Sequence, residues 1–289
     1  MSYWKTWIQK KDKKQMAATA KDLGIIAAVI SVVVLLAYAA NGIFPFGEHS
    51  IARGDMVQQT IPNGMYYMWD VLHGKASPFF TWNSALGMDI SGAASLSSIL
   101  CPLNLLLYLC PRGVLYYYAN IFILLKMIGL AFAMYFYLRK YKIPSIVPIL
   151  GSALYAFGAA SLVHFQIMLV MDAALFLPLL MIGLDRLMEK KKSRFFIIVL
   201  AWAMISNVYT GAILCIFLFF TSGLRIFLAS EGKRSDQKET VLRLFVAVVA
   251  GCLLSAVITI PALNGISNTS RTQTGGFLQT YQTAVKATW

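Results

Sequence analysis

Acidic side chains are scarce in this sequence. Twelve Asp and Glu stand against 25 Lys and Arg, and charged residues of both signs make up 13% of 289 positions. A soluble domain carries about a quarter charged residues and somewhat under half apolar ones. Here 58% are hydrophobic and the mean hydropathy is +0.67, which excludes a water-soluble globular class. Histidine is also rare: His49, His73 and His164 are scattered, and neither they nor the four cysteines show metal-ligand spacing, so no metal site is expected. Cys215 and Cys252 fall inside apolar runs, as small buried hydrophobes do. Cys101 and Cys110 would lie on the outer side, where a disulfide is possible; if the segment between them is helical, they stand about 13 Å apart, too far to bridge. The net charge of +13 does not mark a nucleic-acid binder. No basic stripe is interleaved with exposed aromatics, and the cations sit in short clusters between apolar runs.

What the sequence does have is long apolar runs. Residues 1–22 form a basic N-terminus, followed by the uncharged stretch Leu23 to Ala40. A basic start, an apolar run and a small-residue exit at Tyr38-Ala39-Ala40 also suit a signal peptide, but the run exceeds a usual signal core and reads as a retained first helix. Four basic clusters, at 1–22, 139–142, 186–194 and 225–243, hold 19 of the 25 Lys and Arg and are expected on the cytoplasmic side. Between two cytoplasmic clusters the chain crosses the bilayer an even number of times. The apolar stretch 143–185 therefore splits into spans near 144–161 and 167–185, and 195–228 splits at Ser206–Gly211. With 115–138 and 244–262, the expectation is an all-α, polytopic membrane protein with about seven transmembrane helices within residues 23–262. The segments 41–114 and 263–289 are then extracytoplasmic loops. Leu96 to Leu109 is apolar but short and contains Pro102. A crossing there would break the parity, so it reads as re-entrant or interfacial.

The chemistry concentrates in the first outer loop. Asp55 follows Arg53 and Gly54 and suits a helix N-cap. Met56 to Leu72 reads as a short surface helix, kinked at Pro62. In an α-helix Asp55, Gln58, Gln59 and Pro62 would share one face. Trp69, Phe79, Phe80 and Trp82 suit the aromatic belt at the headgroup level. Two readings of Asp55 stand side by side: a general base for an acceptor hydroxyl, with Arg53 orienting it or meeting a phosphate, or a helix cap paired with Arg53. An adhesion reading of Arg53-Gly54-Asp55 has only a common tripeptide behind it. Lys126 lies mid-span, where a charge needs a partner or water; it is either a cation that reaches a lipid phosphate or a structural partner of Asp172, which opens a span on the outer side. Asp89 after Gly87 is a weak metal candidate, and Glu48 and His49 read as loop residues. Arg271, in a polar stretch, is a candidate for phosphate or acceptor binding. The sequon Asn268-Thr269-Ser270 reads as chance.

The run Gly47 through Pro62, GEHSIARGDMVQQTIP, then FFTWNSALGMD from Phe79 to Asp89, CPLNLL from Cys101 to Leu106, and Ile260-Pro261-Ala262-Leu263-Asn264 through Ser270-Arg271, resembles the bacterial YfhO family of membrane proteins. That family resembles a branch of the GT-C glycosyltransferases, which use polyprenyl-phosphate sugars. The resemblance implies that Asp55, at the position of the acidic residue in the first outer loop, is catalytic. It also implies Asp172 as a second acid, and the residues themselves make Arg53, Gln58, Gln59, Lys126 and Arg271 the substrate-binding candidates. The implied donor is a polyprenyl-phosphate-linked sugar, the acceptor a cell-surface polymer such as teichoic acid, and the location the cell membrane with a cytoplasmic N-terminus. Family members are longer, so the chain is expected to be an N-terminal part. A different class remains open: a multi-pass transporter or lipid-linked-sugar flippase with Lys126 in the substrate path. Neither the sugar nor a divalent-metal requirement follows from the sequence.

Overall fold

The computed structural model describes residues 2–82, 87–89, 100, 101, 103–141, 143, 144, 146–189, 192–228 and 234–267. The described residues are predominantly helical. In chain order they form α1 (Ser2–Ala40), a π-helix (Met56–Tyr66) continued by α2 (Tyr67–Leu72), and a small hairpin of β1 (Phe80–Thr81) and β2 (Met88–Asp89). A 3₁₀ turn at Asn104–Leu109 follows, then α3 (Leu115–Arg139), α4 (Ile146–Ala156), α5 (Ala159–Leu162), α6 (Met168–Met188), α7 (Arg194–Ser206), α8 (Val208–Leu228) and α9 (Arg234–Ser267). The hairpin strands pair antiparallel, Phe80 opposite Asp89.

Among the described residues, five helical stretches are long and apolar enough to cross a bilayer: Gln15–Ala40, Arg112–Arg139, Met168–Met188, Val208–Leu228 and Gln237–Asn264. The two further spans that the charge parity called for correspond to shorter apolar helices, Ile146–Leu162 and Arg194–Ser206. Both predicted splits are present. The first falls at Val163–Ile167, between α5 and α6, and the second at Asn207. Asn207 is extended (φ −163°, ψ 120°) and its side-chain oxygen accepts the Thr210 N–H at 2.9 Å, so it caps the start of α8. Pro102 lies outside the described residues. Of the apolar stretch around it, the described part is the 3₁₀ turn rather than an α-helix.

The chain divides into two compact units, Met1–Gly54 with Tyr116–Ile182, and Asp55–Leu115 with Gly183–Trp289. In lipid, helices gain nothing from hiding apolar surface from water, so packing of small residues and interhelical polar bonds hold them together. The first unit shows the polar bonds. On α1, Ile26, Ile30, Val34 and Tyr38 form a buried stripe one turn apart, while Val29, Val32, Val33 and Leu36 are exposed. At one end of that stripe the Tyr38 hydroxyl donates to the Asn120 carbonyl on α3 at 3.0 Å. Towards the other end of α1, Tyr135 donates to Asp22 at 2.7 Å and Arg139 pairs with Asp22 at 3.3 Å. Helix α4 joins α6 through the Tyr155 hydroxyl, which donates to the Ala174 carbonyl at 2.7 Å.

Helix α1 stops at Gly42. Its φ of +60° is a conformation that glycine adopts without steric penalty. The Ile43 N–H then returns to the Tyr38 carbonyl and the Gly42 N–H to the Ala39 carbonyl, which satisfies two of the carbonyls a helix end leaves open. Residues 42–49 fold back through the His49 N–H to the Gly42 carbonyl at 3.0 Å and the Phe44 N–H to the His49 carbonyl at 2.8 Å. That reversal returns the chain to α3.

The second unit is built on small-residue packing and buried charge. Helix α7 lies against both α8 and α9. Arg225 on α8 forms an ion pair with Asp185. Gly251 of α9 faces Leu200 of α7 so closely that a β-carbon there would meet the leucine side chain at 3.0–3.2 Å. Gly251→Val should therefore destabilise the protein by about 1–3 kcal/mol, the usual cost of overpacking. Gly24→Val, at a site with nothing within 4 Å, should leave stability unchanged. Thermal unfolding of the two variants in detergent checks the contrast.

Candidate functional site

The site starts from one asparagine. Asn120 on α3 is fully buried, and in hydrocarbon its amide must be satisfied by protein. Its side-chain oxygen accepts the Ser50 hydroxyl at 3.1 Å and the Ile51 N–H at 2.9 Å. Its side-chain nitrogen donates to the Phe44 carbonyl at 3.4 Å. Ser50 also lies 3.3 Å from the Tyr116 carbonyl and receives the Ala52 N–H at 3.2 Å. Ala52 is buried as a result.

The chain then leaves this anchor. Arg53 and Gly54 are exposed. Gly54 has φ +51°, and a β-carbon on it would stand 2.6 Å from the Gln166 side-chain oxygen. The left-handed backbone favours glycine here, and a larger residue would push the Gln166 amide aside. The next residue, Asp55, is exposed at the start of the π-helix. Among the described residues neither the Arg53 guanidinium nor the Asp55 carboxylate has a hydrogen-bond or ion-pair partner.

The helix that follows differs from the expected one. Helical structure does run from Met56 to Leu72, straight through Pro62 and Asn63-Gly64, but its first eleven residues are π-helical. Bonds from i to i+5 widen the turn, so the buried side recurs every four or five residues, at Met56, Ile61 and Met65. This period removes the α-helical face that would have grouped Asp55 with Gln58 and Pro62. Gln58 is exposed, and the Gln59 side chain lies outside the described residues. Pro62 has no N–H to donate in either bonding pattern, and the helix runs through it with that one bond missing.

The aromatic residues also divide. Trp69 is buried, not placed in a lipid-facing belt: its N–H donates to the Cys110 carbonyl at 2.6 Å and its ring stacks on His73 at 3.7 Å between centroids. Phe79, Phe80 and Trp82 are exposed on the hairpin. Asp70 holds Arg112 in a two-point ion pair at 2.9 and 3.1 Å, a partnership that no pattern in the sequence announces. Neither Cys101 nor Cys110 is in a disulfide and both are buried, and burial pushes the Cys110 thiol above its ordinary pKa, which disfavours its thiolate.

Lys126 and Asp172 meet. Their side chains are 1% and 2% exposed, and the ammonium lies 2.6 Å from a carboxylate oxygen of Asp172. It also donates to the Met168 carbonyl at 3.5 Å and lies over the Phe122 ring. Arg53, Lys126 and Asp172 belong to the first unit, and Asp55 and Gln58 to the second. Arg271 and the Asp89 side chain lie outside the described residues. Among the described residues no three His, Cys, Asp or Glu are grouped to hold a metal ion. Sequence reasoning missed Asn120 and Gln166. Asn120 carried a usable signal, since a lone amide in the apolar run Tyr116 to Leu125 needs a partner as much as Lys126 does.

Removing one member of a buried ion pair costs about 3–5 kcal/mol, while replacing both with apolar groups is often neutral. Lys126→Met should therefore lower the thermal midpoint and membrane abundance sharply, and Lys126→Met with Asp172→Leu should recover both. Abundance by immunoblot and unfolding in detergent measure this.

No curated protein and no solved structure matches the chain. The family model described as bacterial membrane protein YfhO matches residues 26–287, nearly the whole sequence and all of the helices above except the basic start of α1. The chain belongs to the YfhO family of bacterial membrane proteins.

Proposed function

We propose that this protein is a membrane glycosyltransferase of GT-C type. In this reading it transfers a sugar from a polyprenyl-phosphate donor to a cell-surface polymer, such as teichoic acid, at the outer face. The observation that carries the reading is the Asp55 carboxylate, exposed and without a partner among the described residues, next to a loop tied into the helices of a membrane protein. The scarcity of acids adds weight, because few carboxylates are available for the role.

The chemistry asked of Asp55 is limited. The acceptor hydroxyl gives its proton to the carboxylate as its oxygen attacks the anomeric carbon, and the bond from that carbon to the phosphate oxygen breaks. The departing phosphate takes the electron pair. A positioned base typically contributes about 10²–10⁴ in rate, and cations such as Arg53 stabilise the developing phosphate charge. The base role rests on Asp55 alone, since the Asp172 carboxylate is buried against Lys126.

In the proposed topology the N-terminus and the basic clusters are cytoplasmic and residues 41–114 face outward. The short helices Ile146–Leu162 and Arg194–Ser206 then bring the crossings to about seven, tilting or thinning the bilayer against them. An outward Asp55 meets lipid-linked rather than cytosolic nucleotide sugars. A flippase would instead place its essential groups at mid-membrane. Full function in the Lys126→Met, Asp172→Leu double variant would remove that class.

Asp55→Asn in the intact protein should cut surface glycosylation about 10²–10⁴-fold per molecule, the usual worth of a base, with abundance unchanged because the side chain is exposed. Mass analysis of the wall polymer together with an immunoblot reads both. Normal glycosylation at normal abundance overturns the assignment.

A further inference from the structure

The five residues that lead into Asp55 are gripped at two points, and both grips trace back to one helix. At the first, Asn120 of α3 takes the Ser50 hydroxyl at 3.1 Å and the Ile51 N–H at 2.9 Å, with the asparagine wholly buried. At the second, the Gln166 side-chain amide lies against Gly54, where a β-carbon would stand 2.6 Å from its oxygen and would displace it. Gln166 sits two residues before α6, and the first turn of α6 is fixed to α3 by Lys126, through Asp172 at 2.6 Å and the Met168 carbonyl at 3.5 Å. Asn120 and Lys126 are six residues apart on α3, about 9 Å along its axis. A single rigid helix thus sets both ends of the segment Ser50–Gly54, and between them Ala52 is only 6% exposed.

Such a construction is unusual for a connecting segment, which normally runs over the surface and keeps its mobility. Loop closure alone needs neither a buried amide nor a left-handed residue with a side-chain amide against it. Catalysis does need them, because a reacting group displaced by about 1 Å can lose about 10²-fold in rate.

We infer that Asn120 and Gln166 are positioning residues that clamp the Ser50–Gly54 loop and so hold Arg53, the cation that meets the donor phosphate, with the Lys126–Asp172 pair as the brace that holds the second grip in register. This inference rests on the proposed transferase reading, in which Arg53 meets the phosphate. The clamp itself, however, is a property of the loop and can be measured without any turnover.

The test uses the intact chain in nanodiscs, where both faces are open to reagent, with Ala52→Cys as reporter. Modification of the introduced thiol by a polar maleimide is compared with background labelling of the parent, and each variant's thermal midpoint is recorded. Added to the reporter, Ser50→Ala, Asn120→Ala and Gln166→Ala should each raise the labelling rate at position 52, by about tenfold for Asn120→Ala, the size expected when one or two buried hydrogen bonds are lost. The thermal midpoint should move little for Ser50→Ala and Gln166→Ala, which keeps the result readable if Asn120→Ala folds poorly. In cells, surface glycosylation per molecule should fall in the same order as labelling rises, while lipid-linked sugar still accumulates. Labelling within twofold of the reporter alone in all folded variants overturns the clamp. Faster labelling with unchanged glycosylation overturns its positioning role. Retained activity in Asp55→Asn defeats the base assignment instead, and leaves the labelling result standing as a separate fact.

Discussion

Hydrocarbon offers no water to an ammonium group, so Lys126 can be charged in mid-span only if protein atoms replace its hydration. Asp172, the Met168 carbonyl and the face of Phe122 supply that replacement. The same rule governs the neighbouring polar groups. Asn120 is satisfied by the chain that returns after α1, Tyr38 by the backbone of α3, and Tyr155 by the backbone of α6. In a soluble bundle these bonds would be minor additions to an apolar core. In a bilayer the apolar surfaces are nearly indifferent to one another, and these bonds decide which helices meet and at what height. The loop that presents Arg53 and Gly54 inherits its position from them.

Much of this architecture is legible in the sequence, because the bilayer imposes simple arithmetic. Runs of apolar residues long enough to cross, set off by Lys and Arg, give the helices and their approximate ends. The pauses at 162–166 and 206–211 sit where the structure breaks, and Asn207 has the chemistry of a cap. What was not legible depends on partners distant in sequence. Nothing near Asn120 announces that Ser50 and Ile51 will be its partners, and Trp69 looks like any interfacial tryptophan until the Cys110 carbonyl arrives to take its N–H. Asp70 and Arg112 are separated by the hairpin, so no periodic pattern links them.

The helix after Asp55 shows a different limit. Its hydrophobic residues fit either an α or a π spacing over so short a length, and the sequence argument chose the commoner one. The placement of Met56, Ile61 and Met65 on one buried side is what separates the two. The existence of the helix was readable and its pitch was not. The consequence for the site is concrete, since pitch decides which side chains stand beside Asp55.

The pairwise character of the clamp also constrains how this protein can change over generations. A neutral replacement of Lys126 alone would strand Asp172, and the reverse would strand Lys126. The two positions are thus passable only together or through an unstable intermediate. Gly54 and Gln166 are linked more loosely, by volume, because the amide already occupies the space that any larger residue at 54 would need. Ser50 and Asn120 are linked by the donor one offers and the acceptor the other provides. Around the Ser50–Gly54 loop, then, heritable variation is channelled into coupled steps, whereas the exposed apolar faces of α1, α8 and α9 are free to drift one residue at a time.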